Sequence, residues 1–224
     1  MGQLGFTIKT EQDLAGAVEK LGILPLFKNS IPGFSVEENV EPALWFGAEP
    51  GPWEWKGPVI RGTGCAYGKF LEKKAVFISK DIFPDFANYR RDGYDFDARY
   101  EDGLAPFRDK ELFDLLDKTA PILSGDLREK GSYRKDGKKG FETIVNRLQG
   151  QCYVLISNFV YKKDKNGKPY GWGVAEYSTP ERFLGENFKR QVYARPPADS
   201  YRLVLAHLKE VLPDTGEALL RKIL

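Results

Sequence analysis

The first regular pattern of apolar and polar positions predicts an amphipathic helix that begins after Thr10. The Thr10 hydroxyl can cap free backbone N–H groups, and Gly22 suits the end of the helix. A second, shorter helix is expected after Ser35, which opens a capping-box pattern with Glu38. The inward-facing apolar residues of the first helix, spaced by three and four positions, are Leu14, Ala17, Val18 and Leu21.

Apolar runs further along predict a hairpin and another helix. The runs at residues 65–71 and 75–79 flank a polar turn, which is typical of a β-hairpin. Helical spacing of apolar residues predicts a helix at residues 81–91. The segments for which we expect loop or irregular structure are residues 48–57, rich in Pro, Gly and Trp, and residues 92–108.

The pattern in the second half predicts three helices followed by a hairpin. Asn166-Gly167 at its turn readily takes the positive φ angles that tight turns need. Further helices are expected to begin at Thr179-Pro180 and to cover residues 200–211 and 215–224. In chain order the three helices and the hairpin are residues 110–118, Ser124–Lys130 capped by Ser124, residues 138–149, a strand at 151–161, a turn at Asp164 to Gly167, and a strand at 170–177.

This order is typical of a winged helix-turn-helix, here within residues 121–178. The whole chain is expected to be an α+β fold of helices with small antiparallel hairpin wings. We predict an N-terminal α+β region at residues 1–108, the winged helix-turn-helix at 109–185, and C-terminal helices at 186–224 that pack on the body. No internal repeat is visible in the sequence.

Charge and cysteine content narrow the class of protein. The net charge is only +2, but residues 128–168 hold eleven Lys or Arg and four acids, so this segment is +7 and the remainder −5. Such a segment is typical of polyanion binding, and equally of a solvated surface. Cys65 and Cys152 lie far apart in sequence, no apolar run approaches the roughly 20 residues that span a bilayer, and no secretory signal is visible. We therefore expect a cytoplasmic protein without disulfides and without membrane contact.

The predicted helix at 138–149 has a polar face suited to nucleic acid. Lys and Arg can meet phosphates or guanine edges, and Asn can pair with adenine. The predicted hairpin tip would present lysines to a phosphate backbone. The alternative is a pair of helices followed by a hairpin whose lysine-rich tip contacts only solvent and binds nothing. The candidate nucleic-acid-binding residues are Lys138, Lys139, Thr143, Asn146, Arg147, Lys162, Lys163, Lys165 and Lys168.

Several segments resemble the AlkZ-like (YcaQ-like) family of bacterial DNA glycosylases. The resemblance covers most of residues 10–185 and implies tandem winged helices and association with double-stranded DNA. Family members remove alkylated bases and unhook interstrand crosslinks. The segments that carry the resemblance are Pro121 to Leu127, Lys138 to Leu148, Tyr177 to Leu184, Trp53-Glu-Trp55 and Ala75 to Pro84.

The chain departs from that family at the catalytic motif. The glycosylases carry Gln-x-Asp or Gln-x-Gln after the first helix, whereas residues 22–29 here contain neither Gln nor a carboxylate. Excision needs a polar group that positions water and stabilises the cationic sugar, and Leu26 and Phe27 cannot do this. The nearest substitute carboxylates are Glu54, Glu37 and Glu38.

Three function hypotheses follow. The leading one is a DNA-binding protein linked to DNA repair, without the family's reaction. The alternatives are a divergent glycosylase acting on alkylated bases and a winged-helix module that binds another protein.

No cofactor and no metal are expected, because the single histidine, His207, has no partner at a recognisable spacing. A polar and aromatic pocket for an extruded base is expected from Trp53, Trp55, Tyr89, Arg90 and Arg91.

Overall fold

The first part of the chain is an α+β unit with a short hairpin. The computed structural model describes residues 5, 7–47, 49–167 and 169–224. The predicted helix after Thr10 and the hairpin near residues 65–79 are confirmed. The elements are α1 Glu11–Leu21, β1 Ile23–Pro25, α2 Val36–Asn39, a 3-10 helix Pro42–Trp45, α3 Pro52–Thr63, β2 Ala66–Leu71 and β3 Lys74–Ile78.

The remainder continues with helices around a longer hairpin. Two helices follow the first unit. A second set of helices and strands comes next, and four more helices follow that set. In order, the elements are α4 Phe83–Arg91, α5 Phe96–Glu101, α6 Phe107–Thr119, β4 Ile122–Leu123, α7 Ser124–Lys130, α8 Phe141–Gly150, β5 Leu155–Lys163, β6 Pro169–Ser178, α9 Pro180–Phe183, α10 Gly185–Gln191, α11 Pro197–Val211 and α12 Glu217–Ile223.

The two hairpins belong to units with the same topology. The order helix, strand, helix, helix, hairpin runs from α1 to β3 and again from α6 to β6. Each unit has a three-stranded antiparallel sheet, of order β1-β3-β2 in the first and β4-β6-β5 in the second. The predicted α+β architecture of helices with small hairpin wings is therefore confirmed. The two units form the tandem arrangement that the family resemblance implies, although no repeat is visible in the sequence itself.

Local polar contacts explain where several helices begin. The Thr10 hydroxyl accepts a hydrogen bond from the Asp13 backbone N at 3.1 Å, and the Ser35 hydroxyl accepts one from Glu38 at 3.2 Å. The predicted Ser124 cap is wrong, because Ser124 is already helical and Leu123 precedes it without a side-chain cap. Such caps supply acceptors for N–H groups that the helix itself leaves unpaired.

Two segments expected to be irregular are partly helical. Residues 48–57 include the start of α3, where Pro52 is the first helical residue and Glu54 accepts a hydrogen bond from the Gly51 backbone N at 3.0 Å. Residues 92–108 include α5, because the Asp95 carboxylate caps it through the Ala98 backbone N at 2.8 Å. In both cases a local cap outweighs a composition typical of loops.

The helix predicted from residue 138 begins later, and the wing turn forms as predicted. Gly140 has φ 92°, a left-handed conformation, and α8 starts at the next residue. At the tip of the second hairpin, the Gly167 backbone N donates to the Asp164 carbonyl at 3.0 Å. Lys168 lies outside the described residues.

Each unit packs its third helix against the other unit's hairpin. Gln149 of α8 accepts a hydrogen bond from the Lys69 backbone N of β2 at 3.0 Å. In the other direction, α3 packs on β5, where the Arg61 side chain of α3 donates a hydrogen bond to the Asn158 side chain of β5. As a result, β5 covers part of α3.

The C-terminal helices pack on α4. The Asn88 side chain on α4 donates to the Ser200 hydroxyl on α11 at 2.9 Å and to the Arg195 carbonyl at 2.8 Å. In the parts of the chain that the structure describes, no helix has the length and hydropathy required to cross a membrane. The division at residues 108 and 185 stays a prediction.

Candidate nucleic-acid interface

The α8 helix presents a polar face to solvent. Its opposite side carries four apolar residues at helical spacing, which are buried and pack in the core. Thr143 and Arg147 are exposed, and Asn146 is half-buried. The four buried residues are Phe141, Ile144, Val145 and Leu148.

A first cleft lies between α8 and the hairpin of the first unit. We call this space, of about 680 Å³, the hairpin cleft. Its lining contains four Lys or Arg side chains and no carboxylate. The lining residues are Lys69, Phe70, Lys73, Tyr89, Arg90, Thr143, Asn146, Arg147, Gly150 and Gln151.

A second cleft lies on the other side of α8, beside the segment between α7 and α8. We call this space, of about 610 Å³, the turn cleft, and it shares Thr143 with the hairpin cleft. Together the two linings carry nine Lys or Arg side chains and one carboxylate, Glu142. The turn cleft is lined by Arg128, Tyr133, Arg134, Lys135, Lys138, Lys139, Gly140, Phe141, Glu142 and Thr143.

Several of these cations are already engaged within the protein. Arg147, predicted to face a nucleic acid freely, is held by the buried carboxylate of Asp109, with N–O distances of 2.5 and 2.6 Å. This hydrogen bond raises the pKa of Arg147. Lys138 is paired with Glu111 at 2.5 Å. The remaining engaged cations are Arg128 with Glu142, Arg134 with Glu129, and Arg90 with the Gly150 and Leu224 carbonyls.

Four lysines around α8 remain without an acidic partner. Among the described residues, none of the four has a carboxylate within ion-pair distance, and Lys139 donates only to the Lys135 carbonyl, at 3.1 Å. Lys69, Lys73 and Lys135 were not among the residues predicted from sequence. The packing of α8 on β2 is what brings the hairpin lysines to this surface. We call this set the cleft lysines: Lys69, Lys73, Lys135 and Lys139.

Asn146 adds a polar group that lacks an internal partner. Its Oδ1 atom is buried and accepts no hydrogen bond from the described part of the protein. A buried acceptor without a donor costs free energy. The residue lines the hairpin cleft.

The wing lysines lie apart from the two cleft linings. Lys162, Lys163 and Lys165 are exposed at the end of the β5–β6 hairpin, and none of them lines the hairpin cleft or the turn cleft. The hairpin that flanks the α8 face is that of the first unit. The sequence patterns did not predict this contact.

The residues predicted to form one base pocket occupy different places. Tyr89 and Arg90 line the hairpin cleft. Trp55 and Arg91 are buried, and Arg91 is paired with Glu181 at 2.6 Å. Trp53 packs instead with Trp45 and Trp172, at centroid distances of 5.3 and 5.6 Å.

The three candidate carboxylates stabilise turns. Glu54 accepts from the Gly51 backbone N at 3.0 Å, and Glu37 accepts from Lys28 at 2.8 Å. Glu38 accepts from the Gly33 backbone N at 2.9 Å and from the Ser35 hydroxyl at 2.7 Å. Leu26, in the segment compared with the glycosylase motif, is buried in the core.

The single histidine contacts backbone. His207 Nε2 lies 2.8 Å from the Leu21 carbonyl, between α11 and the end of α1. The described residues include no group of three or more His, Cys, Asp or Glu side chains that could hold a metal ion.

The fold and this surface define a class of α+β proteins with two helix-and-hairpin units and a cationic helix face. The chain belongs to the AlkZ-related family, whose model matches residues 8–224. Membership relates it to the glycosylase-like proteins of DNA repair. No curated protein and no solved structure matches the chain.

Proposed function

We propose that this protein binds duplex DNA through the exposed face of α8 and the two clefts beside it. The observation that carries the proposal is the set of four cleft lysines, which lie on both sides of α8 and have no carboxylate within ion-pair distance among the described residues. A duplex carries one phosphate charge about every 1.7 Å of its axis, so it matches an extended cationic surface. The family's link to DNA repair supports the same partner.

The order of elements supports the placement of α8 in a groove. In helix-turn-helix proteins the second helix of the motif enters the major groove, and its exposed residues contact bases. In this chain α7 and α8 hold those positions, and the hairpin of β5 and β6 follows them. We infer a winged helix whose α8 carries Thr143 and Asn146 toward base edges.

The lysines divide into two sets of contacts. The cleft lysines have no acidic partner among the described residues and are free to meet phosphates. Lys162, Lys163 and Lys165 at the wing tip, with Lys168, are proposed to contact backbone further along the duplex. Arg147 and Lys138 contribute less than sequence reasoning suggested, because each would have to leave a carboxylate.

Excision of a base is not part of this proposal. The three candidate carboxylates each accept hydrogen bonds that hold a turn or a helix start. Leu26 is buried and has no group that could position water. The function we propose is therefore recognition of DNA.

The affinity for duplex DNA should fall steeply with salt. Each phosphate that a lysine neutralises releases condensed counterions, so the log–log slope should steepen by about 0.9 per contact. The measurement is fluorescence anisotropy of a labelled duplex titrated at several salt concentrations. Four cleft lysines predict a slope of about −3.5 or steeper. Absence of binding at low salt would instead favour a module that binds another protein.

A further inference from the structure

Lys56 is a buried cation among aromatic side chains. It lies on α3, and only 8% of its surface is exposed. Its Nζ atom is 4.1 Å from the centroid of the Phe159 ring on β5 and 4.7 Å from that of Trp53. The ammonium is therefore held between a helix of the first unit and the wing of the second.

The ammonium contacts two aromatic rings, and the Glu54 carboxylate acts on it by charge without forming an ion pair. No carboxylate of the described residues lies within ion-pair distance of Lys56, and Glu54, the acid nearest to it in sequence, accepts a hydrogen bond from Gly51. The indole Nε1 of Trp53 is also buried and donates to no acceptor in the described residues. This buried indole N–H beside the Lys56 ammonium therefore has no acceptor among the described residues, which costs free energy.

Burial makes this lysine a good nucleophile. Desolvation lowers the pKa of Lys56 to about 8. A substantial fraction of its side chain is then the neutral amine near physiological pH, which a solvated lysine is not. Enzymes that form Schiff bases lower the pKa of a lysine by the same desolvation.

The surroundings connect this amine to the wing surface. The Tyr161 hydroxyl donates to the Trp53 carbonyl at 3.1 Å and fixes the wing against α3. Trp172 packs edge-on against Trp53, with 70% of its surface exposed. Lys162, next along β5, is exposed opposite Tyr170.

We propose that Lys56 forms a Schiff base with an aldehyde, and that the ring-opened sugar of an abasic site in DNA supplies it. The neutral Nζ attacks the aldehyde carbon, a proton moves to the former carbonyl oxygen, and loss of one water leaves a C=N bond. No oxidant or reductant takes part. Trp172 and Lys162 would meet the neighbouring base and phosphate. The DNA arm of this proposal rests on the proposed function.

Reductive trapping tests the proposal in two arms. A duplex with one abasic site, and separately propanal, are each incubated with the full chain and cyanoborohydride, which reduces an imine to a stable amine. Adducts are located by peptide mass mapping. We expect Lys56 to be modified preferentially in both arms, with a preference over exposed lysines that is lost as the pH rises above about 8.

Matched variants and the two arms separate the outcomes. Lys56→Arg keeps the cation against the aromatic rings but removes the nucleophile, and it should lose the adduct. Lys118→Arg, at an exposed position outside both clefts, should retain it, and circular dichroism checks that both variants fold. If propanal labels Lys56 but abasic DNA gives no adduct, Lys56 is a reactive amine whose substrate is a free aldehyde. This result holds even if the protein does not bind DNA. Failure of Lys56 to be labelled preferentially in either arm would overturn the proposal.

Discussion

Replacing the four cleft lysines by alanine is expected to weaken duplex DNA binding by roughly 10²- to 10³-fold at about 0.1 M salt. The four side chains have no acidic partner among the described residues, so each can neutralise a phosphate without breaking an internal ion pair. The log–log salt slope should become shallower by about 3.5. Anisotropy titrations of both proteins at several salt concentrations measure the affinity and the slope together.

A control variant distinguishes local contacts from net charge. Lys9, Lys80, Lys118 and Lys222 line neither cleft, and their replacement by alanine changes the net charge equally. We expect this variant to lose much less affinity than the cleft variant. Equal losses in the two variants would show that only overall charge matters and that α8 is not the binding surface.

Arg91→Leu is expected to lower the free energy of unfolding by about 3–5 kcal/mol, the usual cost of breaking a buried ion pair. Arg91 is 1% exposed and donates to the Cys152 carbonyl at 2.8 Å, the Glu181 carboxylate at 2.6 Å and the Tyr193 hydroxyl at 2.8 Å. Burial opposes its charge, but Glu181 and Tyr193 outweigh burial and raise its pKa. It joins α4 to the segment before β5 and to α9.

Urea unfolding followed by circular dichroism measures this loss. Arg202→Leu is the matched control, because Arg202 is exposed and pairs with Asp199 at 2.5 Å on the surface of α11. Exposed pairs contribute at most about 1 kcal/mol. A loss below about 1 kcal/mol for Arg91→Leu would mean that the Arg91 contacts are not needed to hold these elements together.

Local patterns predicted much of the secondary structure. The apolar spacing that placed α1 and α8 depends on residues within one or two helical turns. The Asp164 to Gly167 turn and the Thr10 cap are likewise set by neighbours in sequence. The starts of α3 at Pro52 and of α5 at Phe96 are not visible in the loop-like composition of these segments, because local hydrogen bonds set them.

Contacts between distant residues could not be predicted in this way. Asp109 neutralises Arg147 across 38 positions, and no local signal distinguishes this arginine from a free one. Lys69 reaches the α8 surface only because β2 packs on α8. The residues of the predicted pocket looked alike in composition, but tertiary packing separates Trp53 from Tyr89.

The repeat of two units was implied by the family resemblance and not by any local pattern in the sequence. Both sheets have the first strand paired with the third, yet the units share no visible sequence pattern. Their relation lies in the order of elements and in the reciprocal packing of α3 on β5 and α8 on β2. In the second unit the third helix is flanked by two open cationic clefts.

Lysine acetylation with and without duplex DNA tests the proposed surface most directly. Unmodified protein is treated briefly with an acetylating reagent at low salt, and peptide mass spectrometry gives the reactivity of each lysine. Bound DNA should protect the cleft lysines, Lys69, Lys73, Lys135 and Lys139, and leave Lys9, Lys80, Lys118 and Lys222 reactive. Protection spread evenly over both sets, or confined to the second set, would contradict DNA binding by the α8 face.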